Sequence, residues 1–333
     1  MTPFLDSSFK EDYQGIILDL RLDDFNSSKS PLSKYKGTSL AQELRTLMKE
    51  KRLPEIPIVL LSAEHNLKES FDLTGNDLFD IVQSKEHLQP MNFRNELVAL
   101  AEGYERLRDE ISPTRISAIS NILNKNIEDI DVRFVAKLQS LLQSPIHQIA
   151  SFLIRHLIGK NGILISESLL AARLGIDLEN STHWNDLLIH LDDFSYKGVF
   201  DSGWKRWWMH DIDTWWTKVY NSKLRQLSAS DRVKILIEST KLSNLRAATP
   251  FQMARSEKFW SVCSGSNIPI DTIDGLLVSN QDHLYPWQDR EYVSFYEAVN
   301  RTNVEKWKDV SPLEKVKLEQ IKSLYSRDRI PRP

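Results

Sequence analysis

The chain is 333 residues long, with 41% hydrophobic and 27% charged residues, a balance typical of folded globular protein and contrary to broad disorder. Its 43 Lys and Arg nearly cancel its 46 Asp and Glu, so the formal charge of -3 at pH 7 gives no field of one sign to recruit nucleic acid or an anionic membrane. The lone cysteine, Cys263, excludes an internal disulfide framework and fits a reducing compartment.

The opening segment, MTPFLDSSFKEDYQG, has no basic stretch followed by an apolar one, and no run of about eighteen apolar residues follows. The expected location is therefore cytoplasmic, with no membrane partner. Length alone favours two units of roughly 100 to 200 residues each.

GIILDLRL, from Gly15 to Leu22, is a near-continuous apolar run bounded by Asp23 and Asp24, the pattern of a strand buried on both faces. Thr38 and Ser39 then cap TSLAQELRTLMKEKRL, in which Leu40, Leu44, Leu47 and Met48 share one helical face. IPIVLLS, from Ile56 to Ser62, repeats the strand pattern and completes a βαβ unit. AEHNLKESFDL reads as a shorter helix, and LFDIVQSK, from Leu78 to Lys85, as a third strand. After Pro90, NFRNELVALAEGYERLRDEI is a long amphipathic helix with Phe93, Leu97, Leu100, Ala101, Tyr104 and Leu107 inward.

Asp19, Ser62 and Lys85 stand at or near the ends of these strands, and open α/β folds place their ligands outside the carboxyl ends of parallel strands. A carboxylate is a nucleophile toward a phosphoryl donor, while a hydroxyl and an ammonium hold the added oxygens by charge-assisted hydrogen bonds. The expected chemistry of that rim is phosphoryl transfer to Asp19.

These residues resemble the second half of a response-regulator receiver domain, which has a flavodoxin-like fold. In that family an aspartate ending the third strand accepts a phosphoryl group, a Ser or Thr ends the fourth strand and a Lys ends the fifth. Asp19, Ser62 and Lys85 match those positions in order, and the resemblance covers about residues 10 to 110 of the sequence. It implies a sensor kinase as donor and Mg2+ as cofactor of an active domain. The departures are specific. The family's first two strands, and the acidic pair that holds magnesium, have no counterpart here. Asp23 and Asp24 are the nearest candidates, but they lie on a different loop. Glu86 stands where receivers carry a proline, and Val82 where an aromatic is common. A sheet that starts at the Gly15 to Leu22 strand exposes an apolar edge, so a protein partner or a homo-oligomer is expected to cover it.

Pro113, in the ISPTR turn, marks the expected boundary between a three-stranded α/β domain (1-112) and a mainly α-helical domain (113-333). SAISNILNKNI, DVRFVAKLQSLLQ and SPIHQIASFLIRHLIG follow as helices. ISESLLAARLGID and STHWNDLLIHLDDF are similar to a helix-turn-helix, yet residues 182 to 194 contain Asp186, Asp192 and Asp193 and no Lys or Arg. A packing hairpin is expected there, and nucleic acid is not the expected partner.

In GWKRWWMHDIDTWW, Trp204, Trp208, Ile212, Trp215 and Val219 follow a helical stripe that Trp207 and Trp216 broaden. Such a stripe is first a packing signal, with a stacking platform as the functional alternative. The histidines His183, His190 and His210 match no metal-ligand spacing. The segment from Cys263 to Phe295 is irregular, as binding surfaces often are, and offers Trp287 and Arg290. Partner contacts are thus expected at Trp204, Trp207, Trp208, Trp287 and Arg290. The tail forms an amphipathic helix capped at Ser311.

The expected function is a regulatory adaptor whose receiver-like domain controls the protein contacts of a helical output domain, and which at most accepts a phosphoryl group. Two alternatives stay open: a non-catalytic scaffold subunit of a multi-component bacterial system such as antiviral defence, and a DNA-binding transcriptional regulator.

Overall fold

The computed structural model describes residues 13-21, 36-63, 67, 77-111, 117-301 and 309-327, with backbone alone at 326 and 327. Contacts divide the chain into two compact units, residues 1-159 with 197-204 and residues 160-196 with 205-333.

The first unit is built on a parallel sheet of β1 (Ile16–Leu18), β2 (Ile58–Ser62) and β3 (Ile81–Ser84), in the order β1-β2-β3. Register pairs Ile17 with Val59, Leu60 with Val82 and Ser62 with Ser84. Helix α1 (Gly37–Lys49) buries Ala41, Leu44 and Met48 in one core with Leu18, Leu20, Ile58, Leu60 and Phe79. Alternation along the strands turns Ile17 and Val59 to the opposite face, where they meet Leu97 and Leu100 of helix α2 (Pro90–Glu110). The sheet is therefore sandwiched between helical layers, as a βαβ crossover requires.

Both outer strands are shorter than the sequence pattern suggests. Leu78 and Phe79 precede β3 in a turn that drops the Phe79 ring into the core, 1% exposed, so apolar continuity there reflects burial and not strand pairing.

Helices α3 (Ala118–Leu123), α4 (Val132–Leu141) and α5 (Ile146–Leu153, continued by a π-helical turn Ile154–Ile158) form where the sequence places them. Asp131 caps α4 by accepting the N–H of Arg133 at 2.9 Å, and Phe134 stacks on Phe152 at 5.6 Å. These helices belong with the sheet. Helix α5 packs on α2, so the contact division falls after Gly159 and not at the Pro113 turn expected from sequence. The excursion 197-204 joins the same unit: Val199 N–H donates to Ile122 O at 2.7 Å, and the Phe200 ring fills the space left by Gly103.

The second unit has its larger core among Ile165, Leu170, Leu174, Leu187, Ile212, Trp216, Leu236 and Phe259. Its helices are α6 (Glu167–Leu174), α7 (Trp184–His190), α8 (Met209–Tyr220), α9 (Ala229–Thr240), α10 (Phe295–Asn300) and α11 (Lys315–Arg327). The Gly175 φ of +76° ends α6 in the left-handed conformation expected of a helix-terminating glycine. This unit is not purely helical: β4 (Leu164–Ile165) pairs with β5 (Trp207–Trp208), β6 (Ser261–Val262) with β7 (Pro269–Ile270), and β8 (Gly275–Leu277) with β9 (Tyr292–Ser294), all antiparallel. The tryptophan-rich stretch is split accordingly. Trp207 and Trp208 pair with Ile165 and Leu164, so the helix begins at Met209, and the stripe running from Trp204 does not form. Among the described residues no helix is long and apolar enough to cross a membrane.

Candidate functional site

Parallel pairing of β1 with β2 sets the positions of Asp19 and Ser62, and pairing of β2 with β3 brings Lys85 to the same rim, where its N–H donates to Ser62 O at 2.9 Å. The three side chains selected from sequence meet. Ser62 Oγ donates to Asp19 Oδ1 at 2.7 Å, Lys85 Nζ bonds Asp19 Oδ2, and the Arg21 N–H donates to Oδ1 at 3.3 Å. Ser62 is fully buried, whereas the side chains of Asp19 and Lys85 are 26% and 48% exposed. The carboxylate thus reaches solvent while the hydroxyl beneath it is held by the core.

Partial burial pushes the Asp19 carboxyl pKa up, but hydrogen bonds from Lys85, Ser62 and the Arg21 N–H, together with the Lys85 charge, outweigh it. The group titrates below its ordinary value and is anionic near neutral pH. The arrangement is an anionic carboxylate open to solvent whose two oxygens are held by a hydroxyl donor and a cation.

The sequence reading missed Gly37. Its N–H donates to Leu20 O at 2.9 Å, and a Cβ there would fall 2.1 Å from Asp19 O. The absence of a side chain lets the first turn of α1 close against the Asp19 backbone. The signal was present as the glycine before Thr38, although the cap reading favoured Thr38 and Ser39. Also missed was Arg45, which stands on the buried face of α1 beside Leu44 and Met48. An arginine on an apolar stripe implies a buried acid to pair with, and Asp80 supplies it.

Asp23 and Asp24 lie outside the described residues. The described side chains do not fit a magnesium site: no group of three His, Cys, Asp or Glu among them is placed to hold a metal ion, and both oxygens of Asp19 are engaged by Ser62 and Lys85.

The expected partner-contact residues do not form one surface. Trp207 and Trp208 are 4% exposed and Trp287 is 7% exposed, so all three indoles are buried, and Trp207 joins the larger core of the second unit. Trp208 meets Tyr196 edge-on at 5.7 Å, and Trp287 stacks on Tyr285 at 4.4 Å. Arg290 is exposed, and Trp204, half-buried, belongs to the first unit. Burial of the indoles is the packing outcome.

No family model, curated protein or solved structure matches this chain.

Proposed function

We propose that this protein is a regulatory adaptor in which a receiver-like, flavodoxin-type α/β layer accepts a phosphoryl group on Asp19. The observation that carries this reading is the convergence of Asp19, Ser62 and Lys85 on one rim of parallel strands in the order β1-β2-β3. An Asp19 carboxylate oxygen attacks the phosphorus of a small phosphodonor or a phosphorylated sensor kinase. A new P–O bond forms as the bond to the donor's leaving group breaks, and that group departs with the electron pair. Ser62 and Lys85 then turn from the carboxylate to the phosphoryl oxygens. No step is assigned to a metal.

The added charge changes the partners of Lys85, which directly follows β3 where the chain turns toward α2. Phosphorylation then acts as a switch on protein contacts and not as turnover of a metabolite. The partner is a protein: α7 carries Asp186 and no Lys or Arg, which disfavours approach to a phosphate backbone.

Incubation of the full chain with acetyl phosphate in magnesium-containing buffer, followed by intact-mass measurement, tests the chemistry. The wild type is expected to gain one phosphoryl group and Asp19→Asn none. An unmodified wild type would remove the acceptor reading and favour the scaffold role.

A further inference from the structure

The edge of the first unit's sheet carries a second, independent feature. Ile16 N–H donates to Pro57 O at 3.0 Å, so alternation points the N–H and C=O of Ile17 to the open side of β1, where no described strand pairs with it. The Ile17 side chain is 50% exposed although it projects toward the α2 layer. Between β1 and α2 lies an apolar groove of about 250 Å³, lined by Gly15, Ile17, Val59, Leu97, Val98 and Ala101. Val98, on the helix wall, is 46% exposed. Unpaired strand edges and exposed apolar helix faces are the two surfaces that soluble proteins ordinarily cover.

The chemistry around the groove selects the occupant. Arg94, Val98, Ala101 and Glu105 are spaced four, three and four residues apart along α2 and form a single stripe, with both charged ends exposed. Glu105 accepts an exposed hydrogen bond from Gln14 at 3.3 Å. The stripe is basic at one end, acidic at the other and apolar between them. Turned end for end about its midpoint, near residues 99 and 100, it matches itself: Arg94 falls opposite Glu105, and Val98 opposite Ala101. A parallel mate would set Arg94 against Arg94. A twofold axis along the sheet normal beside Ile17 meets both requirements, because it runs the two β1 edges antiparallel and lays the two α2 helices antiparallel above the seam. This is the self-complementarity of an isologous interface.

We propose that the β1 edge and the α2 stripe form a homodimer interface, in which two three-stranded sheets join across antiparallel β1 strands and each groove receives apolar side chains from α2 of the second copy. The interface uses neither Asp19 nor Lys85, so it stands or falls apart from the phosphoryl chemistry.

Sedimentation equilibrium on the full chain across micromolar concentrations tests it, with far-ultraviolet circular dichroism as the folding control. The wild type is expected at twice the 38.6 kDa chain mass. Val98→Arg is expected to be a folded monomer, since it places a charge in the apolar centre. Arg94→Glu and Glu105→Arg are each expected to weaken association by about tenfold or more through like-charge opposition. The double variant Arg94→Glu/Glu105→Arg is expected to restore the dimer, which a merely structural role for either residue would not do. A monomeric wild type, a dimeric Val98→Arg, or a double variant no tighter than the singles would overturn the proposal.

Discussion

The Asp80 carboxylate at the head of β3 pairs with the Arg45 guanidinium of α1 at 2.8 Å, with the two side chains 1% and 5% exposed. Its other oxygen accepts the Tyr104 hydroxyl of α2 at 2.6 Å, and the Ile58 N–H donates to the first at 2.8 Å. Arg45 also donates from Nε to Leu78 O and from Nη1 to Ile56 O, both at 3.1 Å, and its Nη1 lies 3.7 Å from Met48 Sδ. One acid therefore ties both helical layers to the sheet, at the end of the strands opposite Asp19. Burial pushes the Tyr104 pKa well above its ordinary value, and the nearby Asp80 charge adds to it, so the hydroxyl stays a donor.

Removing one partner of such a network leaves an uncompensated buried charge. Asp80→Ala is expected to cost about 3-5 kcal/mol, whereas Tyr104→Phe, which forfeits a single hydrogen bond to a charged group, is expected to cost about 1.5-3 kcal/mol. Urea unfolding monitored by tryptophan fluorescence ranks them. An Asp80→Ala loss no larger than that of Tyr104→Phe would contradict the account.

Asp19 makes stability depend on acid in a definite direction. Its folded-state pKa lies below the ordinary 3.8, so the unfolded chain takes up the proton first as pH falls. The stabilisation is complete above that ordinary value and is lost as pH drops through the lower, folded one. The stability gap between wild type and Asp19→Asn should shrink correspondingly below about pH 4. Lys85→Met should also move the carboxyl titration upward, because partial burial remains while the leading favourable hydrogen bond and charge are gone. Carbon-detected NMR of the Asp19 carboxyl reads that movement directly, and an unchanged midpoint would argue against the pairing.

How much of this was readable in advance follows from the physics of each element. The Asp19, Ser62 and Lys85 convergence was legible because β1 and β2 announce themselves as apolar runs, and parallel pairing then fixes where their ends fall. Trp207 and Trp208 were misread since helical spacing in an aromatic-rich stretch cannot reveal that Leu164 and Ile165, more than forty positions earlier, compete for their backbone groups. The contact division falls after Gly159, and not at the Pro113 turn, for a related reason. Pro113 marks a turn, but whether a turn separates domains depends on what the following helices bury, and α5 buries its apolar face against α2. Long-range partners, not local pattern, decided both cases.

Gly37 supplies a steric test of the rim. Gly37→Ala would set a Cβ 2.1 Å from Asp19 O, a backbone atom that cannot swing aside. The expected cost is about 1-3 kcal/mol of overpacking, accompanied by loss of acetyl-phosphate labelling as the carboxylate leaves Ser62. Gly15→Ala is the control, since its Cβ would approach the Pro57 ring carbon at 3.2 Å and the ring can give way. Equal labelling in both variants would show that the α1 contact does not position Asp19.

A last test concerns the contact that fixes the 197-204 excursion in the first unit. A Cβ on Gly103 would lie 2.2 Å from two carbons of the Phe200 ring, and Phe200, 2% exposed, holds a φ of +73° in the left-handed region. The ring cannot withdraw without giving up both its buried seat and the Val199 hydrogen bond to Ile122 next to it. Phe200→Ala alone should cost about 3-5 kcal/mol by cavity formation, and Gly103→Ala alone should destabilise by forcing the ring outward. In the double variant the new methyl enters space the ring has vacated, so the combined loss should fall short of the sum by about 0.5-3 kcal/mol. Strict additivity in a thermal or urea cycle would mean that the ring and α2 do not share this site.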